Sequence, residues 1–204
     1  MLYRRHCLTV GLIIGGAALL PPRARAQTAV VQKAIAFVQQ TGSQLVGIVN
    51  GNQAAAQKRE AITQILNTAV DVDEIAKFCL GRFWRTATPD QQRRYVAAFH
   101  EVLVTNISSK LGEYQGVKVT VQHGRIQDGE AIVTTLVERP NNPPNTVDWV
   151  IEAPATDPKI VDVLAEGTSL RLTQRQDYAS YLTRNNNDVN ALINAMNQQT
   201  AKNG

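Results

Sequence analysis

Residues 88–122, TPDQQRRYVAAFHEVLVTNISSKLGEYQGVKVTVQ, change periodicity part-way along, and that change decides the fold class. The first four residues are a helix start. Thr88 can cap, Pro89 suits the first turn, Asp90 complements the positive end of a helix, and Gln91 completes a capping box. From there Tyr95, Phe99, Leu103, Ile107 and Leu111 recur at every fourth residue. At roughly 3.6 residues per turn such a stripe drifts by about 40° per step, and Val96, Val102 and Val104 widen it. The spacing predicts one helix to about Tyr114, with an apolar face that needs a large packing partner. Then the period drops to two. Val117, Val119 and Val121 alternate with Lys118, Thr120 and Gln122, which reads as a strand with one apolar face.

Downstream the two-residue period continues. Gln127-Asp128-Gly129 is a hairpin turn signal. Residues 131–137 are rich in Val, Ile and Thr, and Val147, Trp149 and Ile151 alternate with polar neighbours. Residues 139–145 and 154–158 are proline-bearing loops. Residues 159–166 read as a fourth strand, and 169–172 extend it or form a fifth. Sequential strands joined by short loops make an antiparallel meander. Helical patterns flank it. Upstream, Val31, Ile35, Val38, Leu45 and Val49 fall near helical spacing, with a possible break at Thr41-Gly42. A second segment carries Ile62, Ile65 and Leu66. Asp71 and Glu74 form a capping box for a short helix over 72–80 that stops at Gly81. Downstream, Thr173 and Gln176 read as a third box ahead of Tyr178, Tyr181 and Leu182. After a turn at residues 185–187, Val189, Leu192, Ile193 and Met196 form a last apolar face, and residues 198–204 are polar and frayed. The fold class is α+β: a meander of four to five strands packed against an N-terminal helical group, a long central helix and C-terminal helices.

The first 26 residues read differently. Arg4 and Arg5 make a basic start, residues 8–20 are a 13-residue apolar run, and Ala24-Arg25-Ala26 is a small-x-small site before Gln27. That order describes a cleaved secretory leader, and the run is shorter than the roughly 18 residues of a membrane span. The paired arginines admit a twin-arginine route as well as the general Sec route. Residues 27–204 then read as one exported domain. The leader holds four of the 21 basic residues and none of the 17 acidic ones, so the remainder is formally neutral. A nucleic-acid or anionic-surface role argued from net charge therefore fails. Cys79 alone remains of two cysteines, which excludes an intramolecular disulfide after cleavage.

Catalytic motifs are missing. No G-x-S-x-G, phosphate-binding glycine loop or H-E-x-x-H occurs, and His100 and His123 stand apart from any ligand-spaced cluster. No catalytic residue, metal or cofactor is expected. Cys79, beside Phe78 and Leu80, reads as a buried structural thiol. Arg82 and Arg85 flank Phe83-Trp84 between two helices, a pattern open to three readings: a polar partner surface, a headgroup contact or an interhelix clamp. The pattern of aliphatics leaves a solid core and a hollow one equally open. A small hydrolase would need a polar constellation such as His123 with Asp128 or Glu138, and a chaperone or adaptor would show a solid core with an exposed groove.

Two separated segments carry a resemblance. Residues 80–93, LGRFWRTATPDQQR, resemble the "LGRYWR-x-ATP-x-QR" segment of the MlaC family, also called the toluene-tolerance (Ttg2) family. Residues 167–180, GTSLRLTQRQDYAS, are similar to its "G-x-S-L-x-x-T-Q-R-x-D-(F/Y)-x-S" segment, and Asp188 to Ile193 resemble its closing helix. The departure is Asn185-Asn186-Asn187 in place of a glycine-containing turn. A hopanoid-associated branch of the same superfamily looks alike. The resemblance implies a periplasmic, non-enzymatic phospholipid carrier with an apolar pocket between sheet and helices. Such a carrier shuttles lipid between an outer-membrane lipoprotein–porin complex and an inner-membrane ABC lipid transporter complex, supports outer-membrane lipid asymmetry, and acts as a monomer. Periodicity offers pocket candidates: Val119, Val133, Trp149, Ile151 and Leu164 from the sheet, with Phe99, Leu103 and Ile107 from the long helix.

Overall fold

A computed structural model describes residues 22–203. The leader read over residues 1–26 lies outside them except for its last five residues, which begin the first helix. The described chain is α+β. Helix α1 (Pro22–Asn50) precedes α2 (Ala55–Ala69) and α3 (Val72–Leu80). A 3-10 turn (Gly81–Arg85) leads to the long helix α4 (Pro89–Ser109), and a second (Leu111–Tyr114) follows it. Five strands come next: β1 (Lys118–Gln127), β2 (Glu130–Glu138), β3 (Asn145–Glu152), β4 (Lys159–Ala165) and β5 (Thr168–Ser169). Helices α5 (Leu170–Arg184) and α6 (Val189–Asn203) close the chain. The sheet order is β1-β2-β3-β4-β5 with antiparallel neighbours, the expected meander.

Local chemistry explains most boundaries. The Thr88 hydroxyl accepts from the Gln91 amide at 3.2 Å and the Gln91 side chain accepts from the Thr88 amide at 2.9 Å, so α4 starts where the box predicts. Asp71 caps α3 by accepting from the Glu74 amide at 2.9 Å. Glu74 does not reach back; its carboxylate pairs with Lys77 at 3.3 Å. At Gly81 the backbone turns to φ 59° and ψ −128°, a region that only glycine enters at low cost. The turn at 185–187 places Asn186 and Asn187 at φ 55° and 59°, the left-handed geometry that asparagine tolerates in place of glycine.

Several expectations are corrected. Helix α1 runs unbroken through Thr41 and Gly42, because Thr41 is buried and α1 lies along the sheet, within van der Waals reach of Val119 at Gly42. Helix α4 stops at Ser109, five residues before Tyr114, and the chain tightens into a 3-10 turn. Helix α5 begins at Leu170, so residues 170–172 are not a strand and Thr173 is not a cap. Ser169 caps instead, accepting from the Leu172 amide at 3.1 Å, while Thr173 bonds back to the Ser169 carbonyl. Helix α6 continues to Asn203 through the segment expected to fray.

Two apolar cores result. One belongs to the helices, centred on Leu80, Tyr95, Phe99, Leu182 and Ile193. The other lies between α1, α2 and one face of the sheet, centred on Ala34, Val38, Val133, Ile151 and Ile160. The α2–α3 junction stitches them: Val70 forms a parallel bridge with Ile160, and the Asp71 amide donates to the Ile160 carbonyl at 3.0 Å.

Candidate functional site

The sheet core is built by alternation. Val119, Val121, Gly124 and Ile126 of β1 stand on the same face as Val137, Thr135, Val133 and Ala131 of β2, their register partners. The three-residue step from Val121 to Gly124 comes from a bulge at Gln122 and His123. One extra residue re-phases the strand, so Gly124 and Ile126 return to the face of Val121. Glycine at 124 is required by α1: a Cβ there would meet Val31 at 3.0 Å and Ile35 at 3.2 Å. From β3, Val147, Trp149 and Ile151 join this face. The Trp149 indole N–H donates to the Thr135 hydroxyl at 3.0 Å, and that hydroxyl donates to the Val147 carbonyl at 3.2 Å. Both polar groups are thereby satisfied inside an apolar wall.

The opposite face of the sheet is mixed: Ile132 and Val150 pair there and are buried, beside polar groups that bond one another. Thr134 donates to Asp148 at 2.6 Å, and Arg125 lies 3.6 Å from the same carboxylate. At its β4 end Asp162 is buried but fully bonded: it accepts from Ser169 and from the Val163 and Arg171 amides, and Arg171 Nε lies 3.4 Å away. A buried carboxylate held this way is structural.

The helical core carries an aromatic triad. Tyr95, Phe99 and Tyr178 have ring centroids 6.0, 6.1 and 6.3 Å apart, and the Tyr95 hydroxyl donates to the Ala76 carbonyl at 2.9 Å. Burial holds the Tyr95 and Tyr178 hydroxyls in the neutral form, well above the usual phenol range. Burial, reinforced by the charge of Asp162, pushes the Cys79 thiol up to about 12 against opposing pulls from Arg171 and Arg175. Its Sγ donates to the Arg171 carbonyl at 3.5 Å. Such a thiol is not a nucleophile at neutral pH.

The two cores meet at Ile48 and Val70, half-buried residues that pack against both. Val119, Val133, Trp149 and Ile151 lie on one side of this seam, on the α1 face of the sheet. Phe99, Leu103 and Ile107 lie on the other, in the helical core. Leu164 is apart from both groups: it pairs with Asp148 and stands on the face of the sheet turned away from α1. What the pocket candidates left out is α1, which periodicity read as a helix but not as a wall of the site. Ala34 and Val38 are buried against the sheet and Ile35, Leu45 and Ile48 line the approach. The spacing of four from Ala34 to Val38 was the available signal.

The hydrolytic pairing of His123 with Asp128 or Glu138 is not assembled. His123 sits mid-strand, while Asp128 occupies the β1–β2 turn and Glu138 pairs with Lys118 at the other end of the hairpin. At about 3.3 Å per residue each carboxylate is roughly 16 Å along the strand from His123. His100 faces Asn67 at 2.9 Å. Among the described residues no group of His, Cys, Asp and Glu could hold a metal ion, and no helix is long and apolar enough to cross a membrane.

The sequence model described as "MlaC protein" matches residues 39–198, which span the seam, both cores and the 81–85 turn. The chain belongs to the MlaC family. Its MlaC relatives include the toluene tolerance protein ttg2D of Pseudomonas putida, 27% identical over 172 residues, covering 81% of this chain and 80% of that one. The MlaC fold here also matches a phospholipid-binding protein from Ralstonia solanacearum, solved in complex with a phospholipid. That match has a TM-score of 0.72 at 20% identity, over 82% of this chain and 96% of that one.

Proposed function

We propose that this chain is a periplasmic carrier of phospholipid that encloses acyl chains at the seam between its sheet core and its helical core. The observation that carries the reading is the phospholipid held by the Ralstonia solanacearum protein, whose fold this chain shares across nearly all of that protein's length. Family membership over residues 39–198 supports it, as does the leader-like order of residues 1–26. The wall of the site is Val119, Val133, Trp149 and Ile151 with α1, closed from the helical side by Leu103 and Ile107, with Phe99 behind them.

The physics of the task agrees. Exposing a methylene to water costs about 0.8 kcal/mol, so a two-chain lipid with roughly 30 methylenes faces a cost on the order of 20 kcal/mol in crossing water uncovered. A carrier must enclose the tails, and it needs no catalytic group to do so. The protein acts as a monomer, receives lipid from one membrane-bound complex and delivers it to another: an outer-membrane lipoprotein–porin assembly and an inner-membrane ABC transporter. Export follows the Sec or the twin-arginine route.

Organic extraction of the purified mature protein followed by mass spectrometry tests the reading. Phospholipid near one molecule per protein is expected. Repeated absence of lipid, together with no uptake from liposomes, rules the carrier out; a recovered hopanoid would move it to the hopanoid-associated branch.

A further inference from the structure

The 81–85 turn builds a second surface, away from the seam. Gly81 ends α3, and its missing side chain leaves room for Arg175 of α5, whose Nε would lie 3.1 Å from a Cβ at that position. Two adjoining depressions of about 730 and 340 Å³ open on either side of the turn and share Arg82 and Arg85. The larger runs toward Asn187 and Asp188 at the α5–α6 turn; the smaller is floored by Phe78 and Trp84 and edged by Arg175.

Charge distinguishes this surface. Among the described residues Arg59, Arg93, Arg94, Arg125 and Arg171 have a carboxylate partner; Arg139 and Arg184, elsewhere in the fold, have none, but only Arg82, Arg85 and Arg175 are exposed, lack one and line a single depression together. Arg82 lies 4.9 Å over the Phe83 ring, and the Phe78 ring holds both Arg175 at 4.9 Å and Arg171 at 4.7 Å. The carboxylates at the rim are already engaged: Glu74 pairs with Lys77, and Asp188 accepts from the Asn190 amide. Three guanidiniums without a carboxylate partner converge here, and two of them are preset for an anion, since stacking Arg82 on Phe83 and Arg175 on Phe78 fixes the planar fork without satisfying its N–H donors.

We propose that this double groove is a docking site for an acidic segment of a protein partner. Charge complementarity selects carboxylates, which the guanidinium fork receives in pairs. Concavity and composition favour a protein over a bilayer. Arginine beside Trp84 and Phe78 is the make-up of protein–protein hot spots, and a recess flanked by side chains meets an inserted side chain better than a plane of headgroups. The site is separate from the sheet core, so the assignment does not depend on what the seam carries.

The test uses the full mature protein and a short fluorescein-labelled peptide rich in Glu and Asp with one Leu anchor. Anisotropy should show saturable binding that weakens as salt rises from about 0.05 to about 0.5 M. Arg82→Ala, Arg85→Ala and Arg175→Ala combined should weaken it about tenfold, each exposed pair contributing a factor of roughly two to three. Arg184→Ala, at an exposed arginine elsewhere on α5, should leave it unchanged. Co-purified lipid and the circular dichroism spectrum should not change in either variant. Lysine at the three positions, which keeps charge but loses the fork, should fall between wild type and alanine. The proposal is overturned if wild type does not bind, if the triple alanine variant binds as wild type does, or if phosphatidylglycerol vesicles compete for the arginines and the peptide does not. Wild-type protein that binds the peptide in this way but carries and takes up no lipid would fault the carrier reading alone.

Discussion

At Cys79 and Tyr95 the helical core makes predictions that single substitutions can check. The Cys79 thiol has an ordinary value of 9.0 that burial lifts to about 12. Between those pH values the unfolded chain has released a proton that the folded chain still holds. Stability is therefore complete below about pH 9 and falls as pH rises toward 12, at about 1 kcal/mol per unit. The raised phenols of Tyr95 and Tyr178 add a slope of the same sign above pH 10. Urea unfolding at stepped pH should show this decline, and Cys79→Ala should make it shallower. A thiol reagent at pH 8 should label Cys79 only after denaturant is added. Tyr95→Phe removes the donor to the buried Ala76 carbonyl. That costs about 1–3 kcal/mol, read from the same urea curves. Both were legible in the sequence, Tyr95 as a position on the apolar stripe and Cys79 as a buried thiol beside Phe78 and Leu80. The hydrogen bond at Ala76 was not, because it joins two helices.

At the scale of elements, legibility followed how local each boundary is. The start of α4 was readable because Thr88, Pro89 and Gln91 settle it within four residues. Thr88→Ala should lower stability by about 1 kcal/mol. The start of α5 was not, because its decisive partner is distant: Asp162 accepts from the Arg171 amide and the Ser169 hydroxyl across the β4–β5 turn. Locally, Leu170 and Leu172 alternate like a strand, yet both are about half exposed, at 51% and 48%. Their alternation records no buried face at all. The bulge in β1 hid for a related reason, since Gln122 and His123 are polar like any outward pair and only the later residues reveal the shifted phase. Gly81 was readable as a helix stop, but its second role, leaving space for Arg175, needed the fold. Gly81→Ala therefore combines a φ of 59° with a contact against Arg175. It should cost more than about 1 kcal/mol, a drop in Tm that Arg175→Ala relieves only in part.

Across the whole molecule, the existence of two cores decides how the candidate site can be tested. Periodicity placed Phe99, Leu103 and Ile107 on one wall and Val133, Trp149 and Ile151 on another. It could not say that α1 and α2 stand between the sheet and much of α4, because that follows from α1 crossing β1 and β2. The cores consequently respond to mutation in different ways. Phe99→Ala opens a cavity beside Tyr95 and Tyr178 and should cost about 3–5 kcal/mol. The fraction that stays folded should still carry its full lipid load, since Phe99 supports the helical wall from behind. Val133 is fully buried at the centre of the sheet wall. Val133→Trp should cost only about 1–3 kcal/mol by overpacking, yet lower lipid per folded protein toward zero, because the indole takes the volume that acyl chains need. Lipid-to-protein ratio by mass spectrometry, normalised to folded protein by circular dichroism, separates the two effects. If Val133→Trp folds and keeps a full load while Phe99→Ala loses it, the tails lie against the helical core, and the sheet wall is solid packing.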